Sequence, residues 1–157
     1  MKRYKQSKEI TERIHRAVSQ VKAEDMVRHY ANELFGKEFI LAPAGNKGFD
    51  VISKDGTIKI EVKSTSALQA PKTLRIGRLN IKRDKCTHIA VVDFYKRYEN
   101  PRISIIPHDE FFASNITPGN ENKGLWNWDC EYGSKNTARG PRQEQNTKLF
   151  LKHEVKL

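Results

Sequence analysis

A chain of 157 residues is long enough to bury one substantial core, and 37% hydrophobic with 31% charged residues is ordinary for a soluble α/β protein. Its net charge of +10, from 29 basic and 19 acidic residues, points to a polyanionic partner, most often nucleic acid. The longest aliphatic runs, such as Ile89-Ala90-Val91-Val92, are far too short for a transmembrane helix, and no wide apolar helical face with a basic rim speaks for a membrane surface.

Met1-Lys2-Arg3-Tyr4-Lys5 is basic but has no apolar stretch behind it, so a signal peptide is not expected. Cys86 and Cys130 lack any Cys/His ligand spacing, which speaks against structural zinc. They are expected to be free thiols in a reducing, cytoplasmic setting. A single domain over 1–157 is expected, with its core at about 20–112, a basic N-terminal helix at 1–18 and a polar extension at 115–157.

Residues 1–18 set Lys2, Arg3, Lys5, Lys8, Arg13 and Arg16 against Glu9 and Glu12. They form either a phosphate-facing basic helix or a solvated one. Residues 19–35 then read as a separate amphipathic helix that starts near Ser19 and stops at Gly36. Its apolar stripe is Ala23, Val27, Tyr30, Ala31 and Leu34, with Phe35 at the edge. Glu24 falls about 60° from Val27, on the border of that stripe, where a carboxylate needs a partner, a metal or an escape to solvent.

Glu38-Phe39-Ile40-Leu41-Ala42 is a short strand ended by Pro43, and a glycine-bearing loop with Lys47 leads to Phe49-Asp50. Asp55-Gly56 between β-rich runs is a strong hairpin signal. With those two residues as a type I′ loop, paired positions sum to 111, so Ile52 faces Lys59 and Asp50 faces Glu61. Alternation puts Phe49, Val51, Ser53, Ile58, Ile60 and Val62 on a core face, and Asp50, Ile52, Lys59, Glu61 and Lys63 on the other. Two opposed carboxylates repel across a sheet. A cation between them relieves that repulsion, and oxygen ligands with room left for water and phosphate suit Mg²⁺. The bland alternative is an exposed face with a cross-strand salt bridge.

Between Glu61 and Asp84 no carboxylate occurs, while Lys63, Lys72, Arg75, Arg78, Lys82 and Arg83 are all basic. With Pro71 and Gly77 inside it, this stretch reads as a loop or broken helix that contacts phosphates. Residues 87–95 read as a central strand buried on both faces, and Ile103-Ser104-Ile105-Ile106 as another. Asp109 and Glu110 open a short helix with Phe111 and Phe112 turned inward. His88 and His108 have no partner at ligand or nucleophile spacing. After Asn115, Trp126, Trp128 and Tyr132 alternate like one side of a strand or a base-stacking surface. Lys135, Arg139, Arg142 and Lys148 add positive charge, and Thr147–Leu151 read as a final strand.

A helix with an inward Glu24, a strand, Asp50, ten residues and then Glu61-Val62-Lys63 on a hairpin resembles the PD-(D/E)xK nuclease superfamily. Glu24 is similar to the helical glutamate of its Holliday-junction resolvase and Mrr-like branch. Phe49 stands where the pattern nominally has proline. The resemblance covers about residues 20–106. It implies a restriction endonuclease-like α+β core, with a mixed sheet of about four to five strands flanked by helices in αβββαβ order.

The resemblance also implies a Mg²⁺-dependent DNA endonuclease, with Mn²⁺ able to substitute. Asp50 and Glu61 are then metal ligands with the Val62 carbonyl, and Lys63 assists the attacking water. Glu24 completes the catalytic set. Lys47, Lys72, Arg75, Arg78, Lys82 and Arg83 are expected to contact duplex or branched DNA, and a homodimer is expected because cutting both strands commonly uses two sites. The competing expectations are a non-catalytic nucleic-acid-binding module on the same fold and an RNA-directed nuclease.

Overall fold

A computed structural model describes residues 7–46, 48–65, 74–79, 85–94, 99–114, 116–118, 126–130 and 141–156. The first element, α1, is a single helix of 28 residues, Lys8–Phe35. Ser7 caps it by accepting from the Ile10 N–H at 3.3 Å, and Gly36 ends it at φ 61°. The two expected helical segments are therefore one. Ala17-Val18-Ser19 contains no glycine or proline to break the helix, and Ser19 is buried within it rather than capping it. Leu34, expected in the apolar stripe, is exposed.

Five strands form the main sheet: β1 (Phe39–Leu41), β2 (Val51–Ser53), β3 (Lys59–Ser64), β5 (His88–Asp93) and β6 (Arg102–Pro107), in the order β1-β2-β3-β5-β6. The pairings β1–β2, β2–β3 and β5–β6 are antiparallel and β3–β5 is parallel, so the sheet is mixed as expected. Between β3 and β5 lies β4 (Leu74–Leu79), where a loop or broken helix was expected. Leu74 and Ile76 alternate with Arg75, and Gly77 falls at a register shift instead of ending the strand. Strand β4 forms a second, three-stranded sheet with β8 (Trp126–Cys130) and β7 (Ile116–Pro118).

The hairpin register is the expected one, with Val51 opposite Ile60 and Ile52 opposite Lys59. Its turn is wider than two residues. Ser53 N–H bonds the Ile58 carbonyl at 2.9 Å, and Gly56 N–H closes onto the Ser53 carbonyl at 2.8 Å with φ 74°. The Asp55 carboxylate fixes this form by accepting from Ser53 Oγ at 2.6 Å and Thr57 Oγ1 at 2.7 Å.

The sheet has a core on each side. Ala23, Val27 and Ala31 of α1 pack on Val51, Ile60, Val62, Ala90 and Val92. On the opposite face, Ile89, Val91 and Ile106 meet Phe111, Trp128 and Phe150. Residues 89–92 alternate between the two cores, which is why those four positions are all apolar. Phe49 packs in the second core and not beside Val51, because the chain bends at Asp50.

Phe111 lies on α2 (His108–Ala113), the short helix expected there. Phe150 lies on α3 (Pro141–Lys152), so Thr147–Leu151 is helical and not a strand. In that helix Asn146 and Phe150, four residues apart, are both buried while Leu151 is exposed, the spacing of one helical face. Trp128 is also fully buried, stacked on Phe111 at 5.5 Å with its Nε1 donating to Ser114 Oγ at 3.0 Å. It is a core residue and not a base-stacking surface. The segment after 115 thus contributes two large side chains to the interior.

Candidate active site

The site forms where β2 leaves β3. Asp50 is the last residue clipped into the sheet: its N–H bonds the Ile60 carbonyl at 2.9 Å and its carbonyl accepts from Ala42 N–H at 2.7 Å. Just before it, Gly48 at φ 110° turns the chain away. Among the described residues, strand β3 therefore continues past β2 with an open edge at Val62. Asp50 Oδ2 takes the Val62 N–H at 2.8 Å, so a side chain replaces the missing backbone partner.

An open edge is accessible from both faces of the sheet, and both contribute. Glu61 and Lys63 pair with Ile89 and Val91, whose side chains belong to the core beside α2 and α3. Val62 packs in the core beneath α1 instead. From that side α1 supplies Glu24, which lies one residue from buried Ala23.

Lys63 Nζ bonds Glu61 Oε1, with the two side chains only 28% and 13% exposed, so this is no freely solvated surface bridge. The Asp50 carboxyl is pushed up to about 6, chiefly by burial, with Glu61 and Glu24 adding to the rise. The Val62 N–H and Lys63 oppose that rise without cancelling it. Among the described residues, negative charge is thus in excess at the edge even with Lys63 present. Of the four expected site residues, Glu61, Lys63 and Glu24 all come within electrostatic range of Asp50.

Among the described residues, no group of three or more His, Cys, Asp or Glu side chains is arranged to hold a metal. What the edge offers is two carboxylates, Asp50 and Glu61, together with the Val62 carbonyl. That all-oxygen set and its unneutralised charge fit a hard divalent cation that keeps several waters.

Of the expected DNA contacts, Lys47, Lys72, Lys82 and Arg83 lie outside the described residues. Arg75 and Arg78 lie on β4, where Arg75 stands opposite Asp129 of β8 in the backbone register.

No protein-family model and no curated protein matches the chain. Among solved structures, it is similar to a bacterial homing endonuclease, I-Ssp6803I. The identity is 12% over 96% of this chain and 88% of that one, with a TM-score of 0.45. An overlap this loose assigns no role to any residue.

Two neighbours of the site were not anticipated. Gln20, one turn before Glu24 on α1, donates from Nε2 to Glu24 Oε1 at 2.9 Å and to the Val62 carbonyl at 3.3 Å. Its only signal in the sequence is the i, i+4 spacing to Glu24, which a neutral residue makes easy to pass over. Cys86 is buried within electrostatic reach of Glu61, Lys63 and Asp50, and burial pushes its thiol up to about 11. It stays protonated and unreactive at neutral pH.

Proposed function

We propose that this protein is a Mg²⁺-dependent endonuclease that hydrolyses phosphodiester bonds in DNA, with Mn²⁺ able to replace Mg²⁺. The observation that carries this reading is the half-buried Asp50 carboxylate at the edge of β3, beside Glu61, Glu24 and Lys63, with negative charge in excess among the described residues. A purely structural cluster is normally neutralised, as the partly buried Arg102–Glu154 pair is at 2.6 Å through both guanidinium contacts. The net charge of +10 supplies the attraction to a polyanion.

In this reading Asp50, Glu61 and the Val62 carbonyl hold the cation. When bound, it lowers the pKa of nearby water and neutralises charge developing on the phosphoryl group. Lys63 is released from Glu61 to orient the attacking water or to bond the phosphoryl oxygens. Glu24 adds acceptor capacity from the α1 side. A homodimer presenting two such edges would cut both strands of a duplex.

The test is nicking and cleavage of duplex, four-way-junction and single-stranded DNA, and of RNA, with and without Mg²⁺. Cation-dependent DNA cleavage lost in Asp50→Ala, Glu61→Ala and Lys63→Ala supports the reading. Undiminished cleavage in all three variants overturns the site, and cleavage of RNA alone overturns the substrate class. Salt-sensitive binding without turnover would make the chain a binding module.

A further inference from the structure

We infer that Gln20 is a positioning residue that ties the Glu24 carboxylate and the Val62 carbonyl into one preorganised donor set at the open edge of β3. This deepens the nuclease reading and rests on it. The primary amide has two kinds of atom, and each meets its complement. Nε2 faces two acceptors, Glu24 Oε1 at 2.9 Å and the Val62 carbonyl at 3.3 Å. Oε1 faces a donor, Ser64 Oγ, at 3.0 Å. The three contacts leave one amide orientation, and they join α1 to β3 across 42 and 44 residues of sequence.

The consequence is geometric. Val62 pairs with Ala90 on one side only, and on the other, among the described residues, its carbonyl is met by the Gln20 side chain. A half-buried carboxylate on a helix would otherwise swing toward solvent, and Gln20 keeps Glu24 against the sheet. Because Ser64 anchors the amide from its other end, the amide holds its place when the Val62 carbonyl turns to a cation. A ligand's hydrogen-bonded support commonly affects metal affinity by about tenfold to a hundredfold.

The experiment compares wild type with Gln20→Leu, Gln20→Glu and Ser64→Ala. Mn²⁺ affinity is read by calorimetry on the metal-free protein, melting temperature without metal, and kcat and KM on duplex DNA. Gln20→Leu keeps the shape but not the bonds. It should weaken Mn²⁺ binding by about tenfold to a hundredfold and lower kcat, with KM for DNA and the metal-free melting temperature near wild type. Gln20→Glu should bind Mn²⁺ no better than Gln20→Leu, because its carboxylate has no proton for Val62 and repels Glu24. Ser64→Ala should show a smaller loss in the same direction, and it decides the matter should the Gln20 variants fail to fold.

Wild-type Mn²⁺ affinity in these variants overturns the inference while leaving the nuclease reading intact. Absence of Mn²⁺ binding by the wild type overturns both. A fall in melting temperature with unchanged cation affinity would make Gln20 a packing residue only.

Discussion

The β2–β3 hairpin carries an aspartate and a glycine at each end, and the two ends are built to opposite purposes. At the turn, Asp55 accepts from Lys37 Nζ at 2.7 Å, Ser53 Oγ at 2.6 Å and Thr57 Oγ1 at 2.7 Å. Lys37 first, then Ser53 and Thr57, hold its carboxyl well below the usual carboxylate range. At the open end, Asp50 has the Val62 N–H, and burial with two nearby glutamates drives it the other way, to about 6. The same side chain is saturated at one end and, among the described residues, left with excess charge at the other. Saturation is what holds a turn together, whereas unneutralised charge beside an open edge is what a cation and a phosphate can use.

The contrast is broken most directly by removing each carboxylate. Asp50→Ala or Glu61→Ala should lower DNA cleavage by about a hundredfold to a thousandfold, the usual cost of losing one preorganised electrostatic group. Lys63→Ala should do the same. Asp55→Ala should lower the melting temperature and leave turnover per folded molecule unchanged. Single-turnover nicking of supercoiled DNA, normalised to folded protein, measures all four. Equal losses at Asp55 and Asp50 would mean that the hairpin matters only as a scaffold.

The open end was largely legible in the sequence, because it depends on the two-residue period of strands. Once Asp55-Gly56 marked the turn, the register that puts Val51 opposite Ile60 followed. Glu61 and Lys63 then had to share a face. The turn itself was misjudged for a local reason: Asp55 hydrogen-bonds its own neighbours and selects a wider loop. Features that depend on tertiary packing were not legible. Trp128 looks the same in sequence whether it stacks on a base or on Phe111. Phe150 and Leu151 side by side suit a strand until α3 shows Phe150 buried one turn after buried Asn146. Gln20 was invisible because its role exists only when α1 lies across Val62 and Ser64.

The glycines sharpen the comparison at lower amplitude. A Cβ on Gly48, at φ 110°, would lie 2.5 Å from Lys85 Cβ, so Gly48→Ala combines backbone strain with overlap. It should cost about 2–4 kcal/mol and displace Asp50, lowering cleavage beyond the loss in stability. Gly56, at φ 74°, has open space around that position, so Gly56→Ala carries backbone strain alone. It should cost about 1–2 kcal/mol by denaturant titration and spare cleavage. A loss of cleavage in Gly56→Ala as large as in Gly48→Ala would erase the distinction between the ends.

The smallest effect is also the most diagnostic, because the two aspartates should give pH dependences of opposite sign. A carboxyl at about 6 in the folded chain and 3.8 when unfolded binds its proton more tightly when folded. Its stabilising contribution is full below about 3.8 and is lost as pH rises through about 6. Asp55, held low, contributes stability above its ordinary value of 3.8 that is lost as pH falls toward its folded value. In metal-free protein at pH 7.5, Asp50→Asn should therefore be more stable than wild type by on the order of 1 kcal/mol, allowing for solvent screening. Asp55→Asn should be less stable at the same pH. Mg²⁺ should reverse the first result, stabilising wild type but not Asp50→Asn, since a cation in the site relieves the charge that the protonated carboxyl otherwise relieves. Melting curves from pH 4 to 8, with and without Mg²⁺, separate the outcomes: an Asp50→Asn protein less stable than metal-free wild type at pH 7.5 would mean that this carboxylate is a structural bond to Val62 and no more.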